Sequence, residues 1–312
     1  MKHSPLMNTT VESHEQFSVP YFRIIAFGVI FTVLNVLYLE FSILHTTYPS
    51  VNTLVLSFVS GLLLGAAAGF VSTWLPLSTR SRLAVLWVTL FVIQFFANLI
   101  EGTFFTTRIS TAAIFIGGTL VSLAMSLAEA MAVVSIFKPR VPIQDLVTSL
   151  KSFFANRSAV SWLGIVILAS VAYFPVYFTF GAIVSPFVLP YYTDPSNGLS
   201  LALPTLPTLV VVELLRGFLF VGALIPILAT LKASNRAYFL SLASLFFIAG
   251  AFIPFITNTS LPLFLKSVHG LEILGDSIVY AAILTYLFRR PRLSLHFGHT
   301  ASQVRNVSDR FK

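Results

Sequence analysis

Long apolar runs alternate with short polar breaks along the whole chain. Eight runs stand out, at residues 21–44, 52–77, 83–106, 111–137, 161–184, 206–231, 238–257 and 262–288. Each reaches about the 20 residues that an α-helix needs to cross a hydrocarbon core of about 30 Å. Lipid offers no hydrogen bonds, and a helix satisfies all of its backbone groups internally. The pattern therefore predicts an all-α, polytopic integral membrane protein with eight transmembrane helices.

Two breaks carry more than a turn. Residues 141–157 set Ile143, Leu146, Val147, Leu150 and Phe154 at helical spacing opposite Asp145, Thr148 and Ser152, which predicts a short amphipathic helix at the interface or an extension of the fifth span. Residues 185–207 hold Pro186, Pro190, Pro195, Pro204 and Pro207, so a single helix is not expected there. Before the first run, residues 1–20 are polar, with no basic leader and no small-residue cleavage site, and are expected to stay as a polar N-terminus. The transmembrane domain spans 21–291, and the polar tail 292–312 is expected to be disordered.

Composition sharpens this reading. The 312 residues are 56 % hydrophobic and only 10 % charged, where a soluble domain carries about a quarter. That excludes a water-soluble globule. With no cysteine in the chain, disulfides, thiolate metal sites and cysteine nucleophiles are excluded as well. A net charge of +8 would suit nucleic acid, but the basic residues flank the apolar runs in small clusters. Sixteen of the 19 Lys and Arg fall at the ends and in alternate connections, Arg108 falls alone in the others, and Arg216 and Lys266 fall inside runs. By the positive-inside rule both termini are cytoplasmic. The expected partner is the lipid bilayer of a plasma membrane, not a nucleic acid.

Small residues mark close helix packing. Ser57, Gly61, Gly65 and Gly69 recur every four residues in the second run, with Leu64 beside them expected to face lipid. Gly118, Ser122 and Ser126 repeat the device in the fourth run.

Charges inside the runs are the candidate chemistry, because each costs several kcal/mol in hydrocarbon unless it is paired or hydrated. Gln94, Asn98 and Glu101 form one stripe of the third run, Glu213 and Arg216 lie one turn apart in the sixth, and Lys266, His269, Glu272 and Asp276 share the eighth. At about 100° per residue, the last three fall within about 60° of one another. The rise of about 1.5 Å per residue sets these groups at overlapping depth, roughly 10–15 Å from the outer end. Asn98, Glu101, Glu213, Arg216, Lys266, His269, Glu272 and Asp276 are thus expected to line one outward-opening pocket, with Glu129 outside it. Four carboxylates against Arg216 and Lys266 leave two acids that must bind a cation, hydrate or hold protons. Proton or cation coupling follows from that excess.

His269-x-x-Glu272 has the spacing of helix-borne di-metal ligands, yet His269 is the lone histidine well inside a run, so neither a metal nor a cofactor is expected. Residues 212–219, Val-Glu-Leu-Leu-Arg-Gly-Phe-Leu, resemble a fragment of the glutamate-arginine motif of the intramembrane CAAX-protease and bacteriocin-processing family. The resemblance implies an intramembrane hydrolase. It departs from the family in having the single Glu213 for paired glutamates, a shorter spacing to Arg216, and no histidine in the following helix. Transport or binding of a small solute at the polar pocket makes fewer demands. An intramembrane hydrolase or lipid-acting enzyme is the alternative, and a structural or assembly role is the third.

Overall fold

The computed structural model describes residues 20–41, 50–106, 111–194, 196, 199, 201–257 and 261–289. The expectations for residues 1–19 and for the tail after Arg289 lie outside the described residues. Among the described residues the chain forms helices and short connections, with no strand beyond two isolated bridges, and eight helices are long and apolar enough to cross a membrane. The protein is an all-α polytopic membrane protein. Its helices are α1 (Tyr21–Phe41), α2 (Val51–Trp74), α3 (Thr79–Phe105), α4 (Ala112–Ile136), the short α5 (Leu146–Ala155), α6 (Ala159–Thr193), α7 (Leu206–Thr230), α8 (Asn235–Thr257) and α9 (Leu263–Arg289).

Capping explains several starts. Ser50, Ser78, Thr111, Asp145, Ser158 and Ser234 each turn a side-chain oxygen onto a free N–H of the first turn of α2, α3, α4, α5, α6 and α8. At α5 the carboxylate of Asp145 accepts the Thr148 N–H at 2.8 Å, which holds the carboxyl below its ordinary range. This cap is complete above the usual carboxylate pKa and is lost as pH falls through the lowered value. The helix stands apart from α6, so the 141–157 segment is a separate amphipathic helix and not an extension of a span. It is tied down by Gln144 N–H to Pro76 O at 2.6 Å and by ring contacts of Phe153 and Phe154 with Trp162, the second edge to face.

The basic clusters gather at one end of the bundle. There Arg157 donates to Leu287 O, Arg289 donates to Asn235 and to Leu231 O, and Lys232 N–H donates to Trp74 O. Arg82, read from sequence as part of a connection, instead folds into the first turn of α3 and is buried, donating to Val134 O.

α2 packs against α1, α4 and α8. On its small-residue face a Cβ at Gly61 would lie 2.8 Å from the Gly28 backbone, one at Gly65 would lie 2.9 Å from Phe27, and one at Gly69 would lie 2.8 Å from Phe137. Leu64 does not face lipid. It is fully buried, because α2 is enclosed on three sides and a stripe of small residues is not its only packed face. Gly65→Leu is expected to lower the melting temperature of the detergent-purified protein well below that of Val55→Ala, whose side chain is exposed. Equal melting of the two would show that the α1–α2 crossing tolerates bulk. The α4 stripe behaves differently. Ser126 bonds back to Leu123 O, but a Cβ at Gly118 would make only ordinary contact with Leu99 at 3.4 Å.

The 185–207 segment is not one helix, but its first part continues α6. α6 runs on to Thr193 through Pro175, Pro186 and Pro190. Pro186 removes the N–H that Ala182 O would accept in an α-helix, and the Ser185 hydroxyl donates to that oxygen instead, at 3.0 Å. The prolongation carries Tyr192, whose ring meets Phe105, while Ala202 N–H donates to Phe105 O at 2.9 Å.

Candidate functional site

Two of the spans change their winding at the same level. α3 is π-helical over Phe91–Phe96 and α8 over Leu245–Phe252. Residues five apart on an α-helix are about 140° out of register and cannot touch. Here Phe91 and Phe96 stack at 5.2 Å, and Phe247 and Phe252 approach to 5.3 Å. In α8 the cause is legible. Pro254 has no N–H for Gly250 O, four residues before it, and its ring crowds that carbonyl. The Asn98 amide supplies the missing donor from α3 at 2.6 Å, so the two irregular segments are joined side chain to backbone.

The altered winding divides the expected polar stripe of α3. Gln94 turns towards α4 and donates to Glu129 at 3.1 Å, Asn98 turns to Gly250, and Glu101 turns towards α7. A single α-helical stripe would have put all three on one wall.

Glu101 meets Arg216 with 2.8 Å between carboxylate and guanidinium. Arg216 also holds Glu213, at 2.8 Å and 3.1 Å to its two oxygens. The guanidinium carbon lies 5.6 Å from the Tyr173 ring, 5.9 Å from Tyr177 and 5.7 Å from Phe220, a cation–π surround. Gly217 lets α7 come this close to α6, since a Cβ there would fall on the Ser170 carbonyl oxygen. The neighbouring residue thus fixes where Arg216 points.

From α9, His269 Nδ1 pairs with Glu272 at 2.6 Å, and Phe255 stacks on the His269 ring. Gly181 leaves room for Glu272, whose carboxylate oxygen would lie 3.3 Å from a Cβ at that position. Asp276 sits one turn further along α9 and is 6 % exposed, with Oδ1 unpartnered.

These groups surround one cavity of about 310 Å³. Asn98, Glu101, Arg216, His269, Glu272 and Asp276 line it, and Glu213 stands behind Arg216 without reaching the wall. Lys266 does not line it either. It is half-buried elsewhere on α9, on the far side of His269 from Glu272 and about 120° around the helix axis from that carboxylate. Towards the basic end the cavity is closed by a ring of four aromatics, with centroids 5.0 Å from Tyr173 to Phe220, 5.4 Å from Phe220 to Phe246, 5.1 Å from Phe246 to Tyr280 and 5.1 Å from Tyr280 back to Tyr173. At the other end its rim is Phe105, Thr106, Tyr192 and Leu201. Tyr173, Tyr177 and Tyr280 were not singled out by the sequence pattern. Their one signal was the spacing of Tyr173 and Tyr177, one helical turn apart in the fifth run.

Among the described residues no three His, Asp or Glu side chains converge closely enough to hold a metal ion. The remaining chemistry is electrostatic. Arg216 is already shared by two carboxylates, so Glu272 and Asp276 face the cavity with only His269 beside them. No protein family, curated protein or solved structure matches the chain, and its function is read from this site alone.

Proposed function

We propose that the protein binds a small organic cation in this cavity and carries it across the membrane. The observation that carries the reading is Asp276, a buried carboxylate with an unpartnered oxygen on the wall of a cavity between spans. A positive group is its natural complement, and the surrounding Tyr and Phe faces attract cations as well. The volume of about 310 Å³ suits a solute of a few heavy atoms. Irregular backbone beside a polar cavity, in both α3 and α8, gives segments able to change shape as access alternates. The hydrolase reading is less well supported, because Glu213 and Arg216 are engaged with each other and with Glu101 rather than presented as a base.

The test is uptake of radiolabelled choline, ethanolamine and putrescine into proteoliposomes, alongside neutral and anionic solutes of similar size. Saturable uptake confined to cations is expected. Uptake of none, or equal uptake of anions, would overturn the reading.

In the same proposal both chain ends are cytoplasmic, in a plasma membrane, and the Tyr192 rim faces outward. Cysteines introduced at Ser13 and Ser302 are expected to be protected together from an impermeant thiol reagent in intact cells. Labelling of one alone would contradict eight crossings, and labelling of both would invert the orientation.

A further inference from the structure

A second cavity, of about 420 Å³, lies between α1, α3, α4 and α8, and Asn98 and Pro254 form the wall it shares with the first. Glu129, placed by the sequence outside the polar cluster, is fully buried on its surface. An ionised carboxylate only accepts hydrogen bonds, so it draws the Gln94 amide nitrogen towards Oε1, at 3.1 Å. The Gln94 oxygen takes no part in that bond. Glu129 Oε2 and Gln94 Oε1 are both buried and both without a hydrogen-bond partner. The cavity lining contains no Lys, Arg or His, and its other polar groups are Asn35, Tyr38, Asn98, Ser122 and Thr257.

A buried charge with no counter-charge costs several kcal/mol, and an unpaired polar oxygen adds to that cost. We propose that this cavity is a binding site for a monovalent cation of about the size of sodium, held by Glu129 Oε2 and Gln94 Oε1. Carboxylate and amide oxygens, without nitrogen or sulfur donors, are ligands for hard cations. One carboxylate balances one positive charge, whereas a divalent ion would leave a net charge buried. A proton on Glu129 Oε2 is the competing occupant, since a carboxylic acid donates to an amide oxygen while accepting from the amide N–H, and the dependence on sodium separates the two. A cation satisfies both oxygens at once.

The site is independent of the solute reading of the first cavity, and its test separates the two. The full chain in detergent is melted while sodium chloride replaces N-methylglucamine chloride at constant ionic strength. A saturable rise in melting temperature with sodium is expected, because a ligand bound only by the folded state stabilises it. Glu129→Gln should abolish the rise, Gln94→Leu should weaken it, and Asp276→Asn should leave it intact. Direct binding of sodium-22 to the wild type, at one ion per chain and displaced by unlabelled sodium, is the expected second measurement and does not depend on how the variants fold. No sodium-22 binding, a rise that survives Glu129→Gln, or stability that responds to pH but not to sodium would overturn the proposal.

Discussion

Arg216→Gln is expected to destabilise the bundle by about 3–5 kcal/mol, the cost of breaking a buried ion pair from one side. The guanidinium is 7 % exposed and contacts two carboxylates at 2.8 Å. The loss falls unequally on the two partners. Glu101 keeps 26 % side-chain exposure and can take water from the cavity, whereas Glu213 has none and would stay as a bare charge in the core. Arg216→Gln combined with Glu213→Gln should therefore recover much of the stability lost by Arg216→Gln alone, while pairing Arg216→Gln with Glu101→Gln should recover less. Arg216→Lys should be intermediate, since one ammonium cannot reproduce the fork that reaches Glu213 through Nη1 and Glu101 through Nη2. Detergent-induced unfolding of the four variants measures this. Wild-type stability of Arg216→Gln would mean that the network is solvated and structurally idle.

That network shows which part of the molecule the linear pattern could disclose. Glu213 and Arg216 are three residues apart on a regular helix, so their pairing follows from helical geometry, and so does the common face of His269, Glu272 and Asp276. The eight spans are legible for the same reason, since each is set by its own apolar length. Where the winding changes, the pattern misleads. Gln94, Asn98 and Glu101 read as one stripe because nothing in Phe91–Phe96 marks a π-helical segment, and only the structure separates Gln94 with Glu129 from Glu101 with Arg216. Pro254 accompanies the changed winding of α8, but Pro186 and Pro190 argued for a break that α6 avoids, in part by lending the Ser185 hydroxyl to Ala182 O. A proline tells which hydrogen bond is missing, while tertiary context decides what replaces it. Leu64 and Lys266 failed in a related way. Which face of a span meets protein depends on how many neighbours it has, and that count is not written in the span itself.

If the first cavity holds a cationic solute, Asp276→Asn should weaken its binding about ten- to a hundred-fold. A hydrogen bond to a charged group contributes about 1.5–3 kcal/mol, and each 1.4 kcal/mol is a factor of ten in affinity. The substitution keeps the shape of the side chain, which is 6 % exposed, and replaces an unpartnered carboxylate oxygen with a neutral amide. Removing an uncompensated charge from the core should leave the melting temperature unchanged or raise it, which distinguishes loss of a ligand contact from loss of the fold. Glu272→Gln should behave differently, because Glu272 also holds His269 at 2.6 Å, and its loss frees that ring against Phe255. A fall in both affinity and stability is expected there. Lys266→Gln lies outside the cavity wall and should leave affinity at the wild-type level. The checks are solute affinity by equilibrium binding and uptake in proteoliposomes for the three variants. Wild-type affinity in Asp276→Asn would remove the carboxylate from the solute site, and with it the reason for assigning that solute a positive charge.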